Sequence, residues 1–224
     1  MSRYTWLFDA GHGGIIDGVY QTPTKKWKKS YFKDEKLMDA NLGEEYLEDN
    51  CDMKHYEGVS NRDIVNKIKK LCDIHNIDYV DVVDSETDVS LSTRVALANK
   101  EQVKKGNCIY VSIHSDAFTT GSAQGFSVYT TPGFTNSDKV ATFFFKEIAL
   151  EFPDHKPRPD YTDGDPDKEE NFYVIKKTSM PAILTETMFY TNYEEAKLLG
   201  SEEGIQRIAN AHFKAIMAIE KNGY

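Results

Sequence analysis

Four side chains stand out because each adjoins a segment able to hold it still. His12 lies in "FDAGHGGIIDG" (8–18), among four glycines and directly after the apolar run "YTWLF" (4–8). His114 closes "CIYVSIH" (108–114), Glu186 closes "AILTE" (182–186), and Glu57 stands at the head of "YEGVSNRDIVNKI". A catalytic zinc takes three ligands from imidazole and carboxylate and leaves a fourth position open to water. Both donor types suit its borderline softness. Each residue also has an ordinary reading. A histidine in a glycine turn is commonly a surface group. A carboxylate at a helix start favours the dipole. A charge at the end of an apolar strand must be paired, solvated in a cleft, or set beside a cation.

The other histidines offer less. His75 falls at a helix end, His155 in a proline-rich stretch and His212 inside the last helical segment, so these three read as structural or solvated. His55, two residues before Glu57, stays open.

Positioning these groups requires strands that end together. Strand-like runs occur at 4–8, 77–83, 108–114, 125–130, 172–175 and 182–186. Between them the apolar spacing is helical. Ile64, Ile68, Leu71 and Cys72 share one face of a helix from Asn61, with Ser60 as its N-cap. Further helices are expected over 92–105, 137–152 and 204–220. This alternation predicts an α/β three-layer sandwich, with a mostly parallel central sheet of about six strands flanked by helices. Sites in such sheets form at the carboxyl ends of the strands. His12, His114 and Glu186 all fall there.

Two stretches interrupt the rhythm. Residues 15–56 are lysine-rich in front and acidic behind. That split reads as a solvated insertion or as a lid-like segment with Trp27 or Tyr31 stacking on a ligand. Residues 153–171 form a Pro/acid-rich loop without EF-hand spacing. Neither looks like a separate domain, so residues 1–224 are expected to form a single catalytic domain.

Composition narrows the function. With 40% hydrophobic residues the chain can bury a core, and its net charge of −9 argues against nucleic acid as a partner. No run approaches the roughly 18 apolar residues of a membrane span, and none resembles a signal peptide. Membrane insertion is therefore not expected, and synthesis in the cytoplasm is. Cys51, Cys72 and Cys108 are odd in number and form no CxxC, which suggests neither a disulfide framework nor a thiolate zinc site.

Five blocks in order, "DAGHGG", "YEGVSNRDIVNKI", "VSLSTRVALANK", "YVSIHSDA" and "MPAILTETMFYTN", resemble the zinc-dependent N-acetylmuramoyl-L-alanine amidases of the type 3 catalytic domain. The resemblance implies that His12, Glu57 and His114 hold Zn2+ and that Glu186 serves catalysis. Glu44, Glu45 and Glu48 are the alternatives to Glu57 within the insertion. Departures from the family pattern include Ala10 in place of a common proline. Met188 stands where a glycine is frequent, two residues after the catalytic Glu.

The reaction implied is hydrolysis of the amide between N-acetylmuramic acid and L-alanine in peptidoglycan, with Glu186 as general base and then acid. Asp9 and Asp116 are expected to orient the imidazoles. With neither an export signal nor a wall-binding module recognised, the pattern resembles a bacteriophage endolysin that reaches the cell wall through a separate holin-type pore. The competing readings are a zinc carboxypeptidase of the stem peptide, a non-catalytic wall-binding module on the same fold, and a structural phage protein. Oligomeric state is not legible.

Overall fold

The computed structural model describes residues 2–22 and 28–224. Six strands form the central sheet: β1 (Thr5–Ala10), β2 (Tyr79–Asp81), β3 (Cys108–Asp116), β4 (Phe126–Thr130), β5 (Lys168–Glu169) and β6 (Ala182–Phe189). Their spatial order is β5-β4-β6-β3-β1-β2. β2, β1, β3 and β6 run parallel, whereas β4 runs antiparallel to β6 and parallel to β5. The registers Ala10↔Ile113 and Glu186↔His114 bring the ends of β1, β3 and β6 to one edge.

All six residues of β1 are buried, as expected of a strand covered on both faces. Trp6, Phe8 and Ala10 pack beneath α1 (Glu57–His75), α3 (Asn136–Glu151) and α4 (Glu202–Asn222). Leu7 points the other way, into a smaller core with Val95 and Ala98 of α2 (Leu91–Lys105). These are the three layers expected from the sequence.

Local chemistry sets the helix boundaries. Ser90 caps α2 by accepting from the Thr93 N–H at 3.2 Å. Thr135 and Asp138 form a reciprocal capping box at the start of α3. α1 begins at Glu57, four residues before the expected start, and Ser60 is not its cap. The Ser60 hydroxyl donates to the Glu57 carbonyl at 3.0 Å, while the Gly58 N–H donates to the Tyr20 hydroxyl at 2.9 Å.

The strand expected at 172–175 is a short helix, Tyr173–Lys177. Its adjacent residues Val174 and Ile175 are both buried against the α2 side, which a strand would have sent to opposite faces. Four apolar residues are too few for periodicity to separate the two states. The sixth strand, β5, lies instead in the Pro/acid-rich stretch and pairs with β4.

The described residues of segment 15–56 are folded. It holds a hairpin of Ile15–Ile16 with Val19–Tyr20, a helix Glu44–Asn50, and an antiparallel sheet of Lys36–Leu37, Lys29–Lys33 and Met53–Tyr56. Tyr31, Phe32 and Leu47 are buried within it. The segment docks on the chain after β6, where the Ser30 hydroxyl donates to the Tyr190 carbonyl and Phe32 meets Tyr193 edge-on with ring centroids 5.5 Å apart. Part of the charge split is internal, since Lys29 pairs with Glu44. Trp27 lies outside the described residues. Tyr31 is turned inward with its hydroxyl on Glu48 at 3.2 Å, so it offers no stacking face.

Candidate metal centre

His12 follows β1, His114 stands near the end of β3, and Glu57 is the first residue of α1. Oε1 of Glu57 lies 3.0 Å from Nδ1 of His114 and 3.3 Å from Nε2 of His12. The two imidazoles meet edge to face, with centroids 5.1 Å apart. One donor atom from each of the three residues lies within 4.8 Å of the others, the only such His/Cys/Asp/Glu group among the described residues.

Glycine makes this approach possible at two places. A Cβ on Gly11 would sit 2.2 Å from the His114 ring, so the imidazole needs a bare backbone beside it. A Cβ on Gly58 would sit 1.9 Å from the Gly13 carbonyl oxygen, so the start of α1 and the "GHGG" turn meet backbone to backbone. His12 itself adopts a left-handed φ of 62°. Its carbonyl accepts from Nη2 of Arg62 at 2.8 Å and Nη2 of Arg94 at 3.0 Å, two guanidiniums that hold this otherwise disfavoured turn. Asn61 adds a bond from Nδ2 to the Gly11 carbonyl at 3.3 Å.

Burial alone would raise the Glu57 carboxyl, but His12, His114 and Lys28 outweigh it and hold the group well below the usual carboxylate range. Lys28 supplies an ammonium 3.3 Å from Oε2. Burial pushes the His114 imidazole down, opposed by Glu57. Apart from those 3.3 Å charge contacts, Nε2 of His12 and Oε2 of Glu57 are buried without a hydrogen-bond partner among the described residues. Two imidazoles, one carboxylate and orphaned donor atoms fit a zinc-type cation.

Glu186 pairs in register with His114 on one side and Ser127 on the other. Burial, reinforced by Glu57 and Asp116 and opposed by Lys28, pushes its carboxyl well above the usual range. Its Oε2 is buried without a hydrogen-bond partner among the described residues. Beyond Glu186 the strand shifts register before Phe189, with Met188 at a φ of 69°. Glu195 braces this bulge by accepting from the N–H groups of Gly125 at 2.8 Å and Phe189 at 2.7 Å.

Two expected orienting groups lie elsewhere. Asp9 lies on the same sheet face as His114 but is turned to the α2 side, where its carboxylate pairs with Arg94 and accepts from Tyr110 and Ser112. Asp116 accepts from the Ala117 N–H at 2.7 Å, not from an imidazole. Neither alternation nor spacing distinguishes an orienting carboxylate from one that answers a buried arginine. His55 is buried on Ser60 and stacked on Tyr190, and burial takes its imidazole down to about 4. His212 bonds Thr185 within the core. Of the alternative glutamates, Glu44 pairs with Lys29 and Glu48 receives the Tyr31 and Tyr56 hydroxyls, while Glu45 is exposed. Lys28, Arg62, Arg94 and Glu195 were not singled out from the sequence. Only Arg94 and Arg62, inside two of the quoted blocks, carried any signal.

A mostly parallel α/β sheet with a His–Glu–His cluster and a buried glutamate at its carboxyl edge defines a candidate metallohydrolase. The family model for N-acetylmuramoyl-L-alanine amidase matches residues 7–218, and the chain belongs to that family. An endolysin of Bacillus phage SPP1 is 29% identical across 98% of this chain and 66% of its own length. The amidase CwlM of Bacillus licheniformis is 34% identical over 57% of this chain and 45% of its own. The chain thus spans about half to two thirds of the length of these curated relatives. An N-acetylmuramoyl-L-alanine amidase from Clostridium difficile 630 shares the fold, with a TM-score of 0.72 at 23% identity over the full length of both chains.

Proposed function

We propose that this chain is a zinc-dependent N-acetylmuramoyl-L-alanine amidase that acts as one catalytic unit over 1–224, with 15–56 flanking the site. The observation that carries the reading is the meeting of His12, Glu57 and His114 beside Glu186 at one sheet edge. Those three side chains would hold the ion. When bound, zinc supplies Lewis-acid polarisation of the scissile carbonyl and lowers the pKa of water to about 7.

The protein's own groups do the rest. Arg62 and Arg94 hold His12 through its backbone, and Glu195 braces the strand that presents Glu186. Glu186 takes a proton from the attacking water as its oxygen adds to the lactyl carbonyl. It then delivers that proton to the L-alanine nitrogen as the C–N bond breaks. The substrate is peptidoglycan and the outcome is wall lysis. The phage endolysin's match across nearly the whole chain supports release to the wall through a separate holin-type pore. No helix among the described residues is long and apolar enough to cross a membrane.

Product analysis of digested sacculi tests the reading. Intact stem peptides with free L-alanine amino ends are expected, abolished by chelator and restored by zinc. Glu186→Gln is expected to retain zinc and lose activity by about 10²-fold or more. Cleavage inside the stem peptide would replace this reading with the carboxypeptidase, and full activity in chelator would refute the metal.

A further inference from the structure

Near Asp116, at the carboxyl end of β3, two cations make no close ion pair among the described residues. Arg158 runs next to β4: its N–H donates to the Phe126 carbonyl at 3.0 Å, and its carbonyl accepts from the Ser127 hydroxyl at 3.3 Å. Its guanidinium lies over the Phe189 ring, 5.1 Å from the centroid, with Nε buried and without a hydrogen-bond partner among the described residues. Lys168 of β5 holds its ammonium 5.7 Å from the centroid of the Tyr129 ring. Neither has an ion-pair partner among the described residues. Burial and then Arg158 hold the Lys168 ammonium below its ordinary range, opposed by Asp116 and Asp160. Asp116 is the shared acidic neighbour of both cations, yet neither closes to ion-pair distance on it, so each keeps donor capacity for a carboxylate from outside.

Their position relates them to the reaction. Lys168 pairs with Tyr129, Tyr129 with Leu184, and Ser127 with Glu186, so Lys168, Tyr129 and Glu186 project from the same face of three adjacent strands. Lys168 stands level with Leu184, so its Cα lies two strand spacings across and two residues along from that of Glu186, about 12 Å in all. Two residues of extended peptide cover about 7 Å, and a glutamate side chain closes the remainder. A peptide whose first amide lies at Glu186 can therefore deliver the carboxylate of its second residue to this pair.

We propose that Arg158 and Lys168 form a subsite for a carboxylate of the stem peptide and make the enzyme prefer acidic over amidated stems. This rests on the amidase reading. The test compares N-acetylmuramoyl-L-alanyl-D-glutamate with its diamide. Wild-type kcat/KM is expected to favour the acid by about tenfold or more. Lys168→Met and Arg158→Gln are expected to raise KM for the acid alone, leaving kcat and the diamide kinetics in place. Equal wild-type kcat/KM on both substrates would overturn the subsite, as would variants that slow both alike. If Arg158→Gln does not fold, Lys168→Met decides. Calorimetry with the L-alanyl-D-glutamate dipeptide separates the two readings. Binding that Lys168→Met abolishes, without hydrolysis of either substrate, keeps the subsite and removes the amidase. Absence of both binding and hydrolysis removes both.

Discussion

Replacing Gly58 with alanine perturbs the centre without touching any donor atom. The added Cβ would fall 1.9 Å from the Gly13 carbonyl oxygen, whereas ordinary contact begins near 3.4 Å. The start of α1 and the "GHGG" turn must therefore part by about 1.5 Å. Glu57 and His12 each sit one residue before the colliding groups, so the displacement falls directly on the 3.3 Å approach between them. Metal–ligand distances tolerate only about 0.2 Å, and a misplacement of about 1 Å can cost about 10²-fold in rate. Gly58→Ala is expected to weaken zinc binding about 10²-fold in competition with a chromogenic chelator, and to lower amidase activity in parallel. Gly200→Ala is the control, since its nearest contact is 3.3 Å away and its backbone is right-handed. The steric reasoning fails if Gly58→Ala binds zinc within threefold of wild type at an unchanged melting temperature.

Two further outcomes concern stability. His212 is buried, and burial takes its imidazole from 6.5 to about 4, a gap of about 2.5 pH units. Because the folded value is the lower one, its contribution of about 3 kcal/mol is complete above pH 6.5 and is lost as pH falls through about 4. Glu195, raised to about 7 chiefly by burial, works in the opposite sense, so the readout is the difference between wild type and His212→Gln. Denaturant midpoints measured from pH 7 to 4.5 should decline less steeply in the variant, and parallel curves would exclude the assignment. Arg94→Met leaves the Asp9 carboxylate buried without its cation and is expected to cost about 3–5 kcal/mol. An unchanged denaturation midpoint would contradict that.

Much of this architecture could be read from the chain because its signals are local. The apolar strands of 4–8 residues and the 3.6-residue spacing of α1, α3 and α4 are periodic enough to place the layers, and the strand ends bring His12, His114 and Glu186 to one edge. What escaped depends on contacts distant in sequence. Asp9 looks like any strand-end carboxylate until Arg94, 85 positions later, is seen beside it. Ser60 is a good cap by type, but Tyr20 reaches the amide of Gly58 from 38 residues away. The run at 172–175 is too short for either period to prevail. The insertion reads as solvated charge because its small core of Tyr31, Phe32 and Leu47 is split between a strand and a helix about 15 residues apart.

The bulge after Glu186 gives meaning to a substitution that otherwise looks arbitrary. Position 188 needs a backbone shape that L-amino acids resist, at roughly 1–2 kcal/mol, which accounts for the appeal of glycine there. Methionine offsets that resistance by inserting a thioether into the main core, where full burial of such a side chain contributes about 1.5–3 kcal/mol. In this chain the kink beside the reactive carboxylate is kept by hydrophobic anchorage, and departures of this kind need not signal a weakened site.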